Sequence, residues 1–102
     1  PYLQALHQAL AELEGRFDAD MLIYLAGADP HEGDRLGRLK LSMDGMAARD
    51  RVVLDWASQR RLPVVLCMGG GYGHDIETTV AVQVQTWTIA LEYWQRWHNR
   101  AP

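Results

Sequence analysis

Two stretches of this 102-residue sequence hold side chains suited to chemistry: Ala26-Gly27-Ala28-Asp29-Pro30 and Gly69-Gly70-Gly71-Tyr72. Asp29 offers a hard anionic oxygen of the kind that suits a divalent cation. Tyr72 ends a glycine run, and a hydroxyl held rigidly there could donate a hydrogen bond to a developing oxyanion. The glycines let backbone approach a ligand or metal closely and take up φ > 0 conformations. Both residues also have plainer readings. Asp29-Pro30 is compatible with a turn that caps its own loop, and Tyr72 with a surface tyrosine packed over a glycine turn.

Other chemistries are excluded by what surrounds these residues. The Lys and Ser or Thr that a P-loop needs after its glycines are missing, and His74 stands where a dinucleotide fingerprint needs a third glycine. The serines are Ser42 and Ser58, neither in a G-x-S-x-G elbow. Cys67 lies in an apolar run without a base nearby in sequence, which reads as a packed thiol and not a nucleophile. His31 and His74 read as exposed loop histidines, so Asp29-Pro30-His31 is not taken as a local metal pair. His7 and His98 receive no role. Asp34 and Arg35 read as anchors of their loop through charge-assisted hydrogen bonds.

The elements that must position Asp29 and Tyr72 follow from periodicity. Leu3, Leu6, Leu10 and Leu13 alternate three and four apart, which predicts an amphipathic helix over 2–16. Met21 to Leu25 is a short apolar run, the pattern of a strand covered on both faces. A loop from Ala26 to about Leu41, rich in charge and broken by Pro30, Gly33 and Gly37, is long enough to carry function. Ser42 is placed to cap a second helix over 43–61, with Met46, Val53 and Ala57 on one side and Arg49, Arg60 and Arg61 among the polar positions. Pro63 ends it, and Val64 to Met68 forms a second strand. The last segment is ambiguous locally. Val80, Val82 and Val84 alternate as in a strand, while Val80, Val84, Trp87, Leu91 and Trp94 follow a helical stripe; length favours a helix from about Asp75 to His98. The order is α-β-α-β-α, an α/β unit. A right-handed crossover makes the strands parallel and brings the two loops to one sheet edge, beyond the carboxyl ends of the strands, where ligands sit in open α/β sheets.

Composition sets the outer bounds. With 48% hydrophobic and 23% charged residues, residues 1–102 form one globular unit. A net charge of −3 with scattered Lys and Arg argues against nucleic acid. The single cysteine precludes an internal disulfide and fits a reducing, cytoplasmic setting. No apolar run reaches a membrane span's length, so no membrane partner is expected. Trp87, Tyr93, Trp94 and Trp97 crowd the last helix, where core packing is the default reading. Any apolar surface left over would face another chain, which predicts a homo-oligomer.

The run AGADPHEGDRLGRLKLS, then MAARDRVV, then PVVLCMGGGY, resembles the C-terminal third of histone-deacetylase-like enzymes, especially their bacterial and class IV-like branch. The likeness extends from about Phe17 to Thr79, and the joint spacing of GAD, GDRLG and GGGY carries it. It implies a partial arginase/deacetylase fold, a parallel sheet flanked by helices, around a catalytic Zn²⁺. By the same likeness Asp29 matches a metal-ligating aspartate and Tyr72 the tyrosine that polarises the amide carbonyl. Leu36 would line an acyl-lysine channel, and Gly70 and Gly71 would shape the floor beside the metal. The implied reaction is metal-assisted hydrolysis of the amide of an acylated lysine or small acylated amine. The family's other aspartate ligand, its histidine ligand and its paired histidines precede this region. The chain is therefore expected to be a C-terminal fragment of a larger deacetylase domain, inactive in isolation and poor at retaining zinc. The alternative is a non-catalytic, self-associating interaction module.

Overall fold

In the computed structural model, residues 1–33, 40–70 and 76–100 are described, Arg100 by its backbone alone. The order is α1 (Tyr2–Arg16), β1 (Leu22–Gly27), α2 (Met43–Gln59), β2 (Val64–Gly69) and α3 (Ile76–Arg100). The fold is α/β, in the predicted α-β-α-β-α order and consistent with a partial deacetylase fold. The ambiguous last segment is helical throughout, with tertiary packing deciding against the alternating valines.

The two strands pair in parallel, in register from Leu22↔Val64 to Gly27↔Gly69. β1 starts one residue later than its apolar run suggests and continues through Ala26 and Gly27, because Met68 and Gly69 supply ladder partners for them. The strands are not covered on both faces. Tyr24 points toward α2, where its hydroxyl reaches Asp50, while Ile23 and Leu25 alternate to the other side, Leu25 remaining 71% exposed. Val65 on β2 is exposed likewise.

α2 lies between α1 and α3 and packs on both. Ser42 caps it as expected, its Oγ accepting from the Gly45 N–H at 3.0 Å. The helix ends at Gln59, two residues before the expected Arg61. Leu62 N–H donates to Ala57 O at 2.9 Å and Arg61 N–H to Ser58 O at 3.1 Å, with Arg61 at φ 54°. That is the Schellman arrangement, with an arginine in the left-handed position usually taken by glycine. Pro63 sets the next chain direction instead of stopping the helix. Beyond the packing, Arg60 pairs with Glu14 of α1, while Arg51 pairs with Glu92 of α3 at 3.0 Å and Tyr93 of α3 donates to Asp55 at 2.6 Å.

The expected apolar side of α2 holds: Met46, Val53 and Ala57 are buried. Met46 joins Ala28, the residue before Asp29, and Val82 in a cluster against which Leu41 and Met43 pack. α3 turns a different face inward from the one its stripe suggested. Val82, Thr86 and Ile89 are buried, whereas Val80, Val84, Trp87, Leu91 and Trp94 are exposed, Trp94 to 58%. The tryptophans thus line an open apolar cavity of about 550 Å³ with Leu54, Pro63 and Leu66 and do not fill a core. Truncating Met46, which is fully buried, should have a large effect: Met46→Ala is expected to lower unfolding free energy by about 2–5 kcal/mol in urea denaturation.

Candidate functional site

The strand register fixes where the two unusual loops meet. Gly27 and Gly69 are the last paired residues, and the Ala28 N–H continues the ladder by donating to Gly69 O at 3.1 Å. Asp29 and Gly70 therefore leave the sheet side by side at its carboxyl edge. Gly70 has φ 65°, and a Cβ built on it would lie 2.7 Å from Asp29 Oδ1. A Cβ on Gly27 would strike the same oxygen. The absence of two side chains makes the space that the Asp29 carboxylate occupies. Asp29 is exposed and lines, with Tyr24, Gly27, Pro30, Arg49 and Gly69, a cleft of about 320 Å³.

Of the sequence-predicted site residues, the structure brings Asp29 and Gly70 together at this edge. Leu36, Gly71 and Tyr72 lie outside the described residues, as do Asp34, Arg35 and His74. His31 corrects an expectation: it is 8% exposed, not a solvated loop histidine. Its Nδ1 accepts from the Gly33 N–H at 3.1 Å. The base of the loop closes over it through Leu41 N–H to Pro30 O at 2.9 Å and Glu32 N–H to Leu41 O at 2.8 Å. With that nitrogen already an acceptor, His31 acts as a structural residue of the loop. Cys67 is half-buried on β2. Among the described residues, no group of three or more His, Cys, Asp or Glu side chains converges as a metal would require.

The residues that sequence reasoning missed lie just behind Asp29. Arg49, assigned to the polar side of α2, is buried, and its neighbour Asp50 is 0% exposed. Asp50 Oδ1 accepts from Tyr24 Oη at 2.5 Å, from Arg49 Nε at 3.1 Å and from Arg49 Nη2 at 2.9 Å. Oδ2 accepts from Thr86 Oγ1 at 2.7 Å. The remaining guanidinium nitrogen, Nη1, donates to Gly27 O at 2.5 Å. Adjacent helical residues ordinarily diverge; these two converge because both turn toward the end of β1. A buried charge pair is tolerated when its remaining donors and acceptors are satisfied, as they are here. The available signal was MAARDRVV itself, two opposite charges placed where the apolar stripe should continue.

The burial of Tyr24 pushes its phenol far above the ordinary range; the hydrogen bond to Asp50 adds to this and the Arg49 guanidinium opposes it. The phenol therefore stays protonated as the donor to Asp50.

Comparison with known proteins places the chain in a family. Residues 1–88 match the model of the histone deacetylase domain. Over 84 residues the chain is 36% identical to "Histone deacetylase 2" of Arabidopsis thaliana, covering 82% of this chain and 22% of that protein. Over 79 residues it is 39% identical to an uncharacterised protein of Picosynechococcus sp., covering 78% of this chain and 26% of that one. The chain belongs to the histone deacetylase family, whose members are generally zinc-dependent. It spans about a quarter of the length of these relatives. No helix among the described residues is long and apolar enough to cross a membrane.

Two outcomes follow from the geometry. Gly70→Ala forces a left-handed residue to carry a Cβ against Asp29; it should lower stability by about 1–2 kcal/mol and displace the carboxylate, seen as a shift of the Asp29 side-chain carbon resonance. For Tyr24 the folded pKa lies above the unfolded value of about 10. Its contribution to stability is thus complete below pH 10 and declines as pH rises, because the unfolded chain releases a proton that the folded one keeps. Tyr24→Phe should lower stability at pH 8 by about 1 kcal/mol and show a shallower decline than the unaltered protein above pH 10.

Proposed function

We propose that the chain is the C-terminal segment of a zinc-dependent amidohydrolase that removes acyl groups from acyl-lysine or from small acylated amines. Residues 1–102 would form one unit within a larger deacetylase domain. The observation that carries the reading is the Asp29 carboxylate, seated where Gly27 and Gly70 leave room for it at the carboxyl edge of the parallel pair, in a chain of this family. That cradle fits one hard ligand to a divalent ion. The remaining ligands and the histidines for acid and base work would come from sequence outside this chain.

Bound Zn²⁺ would supply a Lewis acid and an activated water. Asp29 is the residue of this chain that would hold it. Tyr72, two residues after Gly70 in the sequence, would donate its hydroxyl hydrogen to the oxyanion that develops on the acyl carbonyl. Gly70 and Gly71, without side chains, would leave the floor beside the metal open, and Leu36 would contribute an apolar wall to the channel that receives the lysine stem. The setting is cytoplasmic, in keeping with a lone free cysteine.

A second reading has an observation of its own. On the outward face of α3, Val80, Val84, Trp87, Leu91 and Trp94 are all exposed, and a contiguous apolar patch of this kind marks an interaction surface. A self-associating, non-catalytic module derived from this fold would cover it with a second copy, as a homo-oligomer. Gel filtration decides: a clean monomer rules that module out.

The enzymatic reading is tested by zinc content and turnover on an acetyl-lysine peptide. The 102-residue chain alone should hold far less than one zinc and show no turnover. In a complete deacetylase domain carrying these residues, Asp29→Ala should lower both zinc content and turnover. Tyr72→Phe should leave zinc in place and lower turnover about 10²-fold or more. Equal metal loss in both variants would contradict the role given to Tyr72.

A further inference from the structure

Arg49 reaches a particular backbone atom, and that atom lies two residues before Asp29. The carbonyl it binds, Gly27 O, belongs to the same peptide unit as the Ala28 N–H. That N–H is taken by Gly69 O at 3.1 Å. One peptide plane is therefore held from both ends, by the last residue of β2 on one side and by a guanidinium from α2 on the other. Its rotation would swing Asp29, whose Cα follows the Ala28 nitrogen by four backbone atoms. Past Gly27 the regular ladder ends, so without Arg49 the plane would have a single anchor.

The guanidinium is itself immobilised. Asp50 takes two of its N–H groups, and Asp50 is fixed by Tyr24 of β1 and Thr86 of α3. Arg49 also lies against the Tyr24 ring, 5.7 Å from its centre. A buried ion pair is often replaceable by apolar residues without loss of stability, so packing alone gives little reason for a charged fork at this point. A fork whose free arm must reach one carbonyl does.

We propose that Arg49 is a positioning residue for the Asp29 carboxylate, acting through the Gly27–Ala28 peptide and held in place by Asp50. The inference rests on the reading of Asp29 as a metal ligand. Partners outside the ligand shell commonly change metal affinity about ten- to hundredfold when removed.

The test uses Arg49→Met and Arg49→Lys, with Arg51→Met as a control that removes a cation from the exposed pair with Glu92 on the same helix. In the 102-residue chain, amide hydrogen exchange of Ala28 is measured against that of Val53. Arg49→Met should reduce Ala28 protection at least about tenfold relative to Val53; Arg49→Lys, which keeps a donor, should restore part of it; Arg51→Met should leave the ratio unchanged. In a complete deacetylase domain, zinc affinity should fall about ten- to hundredfold in Arg49→Met. If Arg49→Met does not fold, Thr86→Val removes one anchor of Asp50 and should still lower the Ala28 ratio. An unchanged Ala28 ratio in a folded variant overturns the proposal. So does zinc affinity retained in Arg49→Met when Asp29→Ala loses it. Zinc retained by Asp29→Ala would instead overturn the reading of Asp29 as a ligand.

Discussion

The structure depends on one buried carboxylate. Asp50 accepts hydrogen bonds from β1, from its own helix and from α3, through Tyr24, Arg49 and Thr86. Three of the five elements, β1, α2 and α3, thus have a donor committed to it. In a low-dielectric interior such a group is tolerable only when fully partnered, and each partner is thereby fixed in place. The apolar cluster of Ala28, Met46 and Val82 adds burial but gives no direction. The directional bonds set how the strand end, α2 and α3 lie against each other.

From that anchor the site follows by short steps. The Arg49 guanidinium extends the network to Gly27 O, the Ala28 N–H extends it across to Gly69 O, and the residues that follow Ala28 and Gly69 are Asp29 and Gly70. The carboxylate fills the volume that two absent Cβ atoms leave. An exposed acid in a loop is thereby made into one with a defined position, which is what a ligand to a metal requires.

The apolar surfaces describe a different relation. Ile23, Leu25, Val65 and Met68 on the sheet, and the tryptophan-bearing face of α3, lie open to solvent. They belong to a chain that spans about a quarter of its relatives' length. A two-stranded parallel sheet with helices on one face has no means of covering the other. The expectation that the first strand is covered on both faces rests on residue type, since an apolar run is what a doubly covered parallel strand needs, and the exposure of Ile23 and Leu25 corrects it. Nothing among the described residues covers them.

Much of the fold was legible from periodicity and punctuation. The leucine stripe gave α1, Ser42 gave the cap of α2, and the two apolar runs with their bounding glycines gave a parallel pair whose loops share an edge. The family was legible in the joint spacing of GAD, GDRLG and GGGY. These are local or nearly local properties, set by backbone sterics and by alternation of side chains, and the sequence by itself determines them. What only the tertiary structure decided were the matters of orientation: which face of α3 turns inward, that His31 is buried, and that Arg49 and Asp50 are interior. The burial of Arg49 and Asp50 depends on partners distant in the chain. Asp50 is buried because Tyr24, 26 residues before it, and Thr86, 36 residues after it, bring donors to it. A charge in a helix is solvated by default, and no local pattern can announce the partners that reverse that preference.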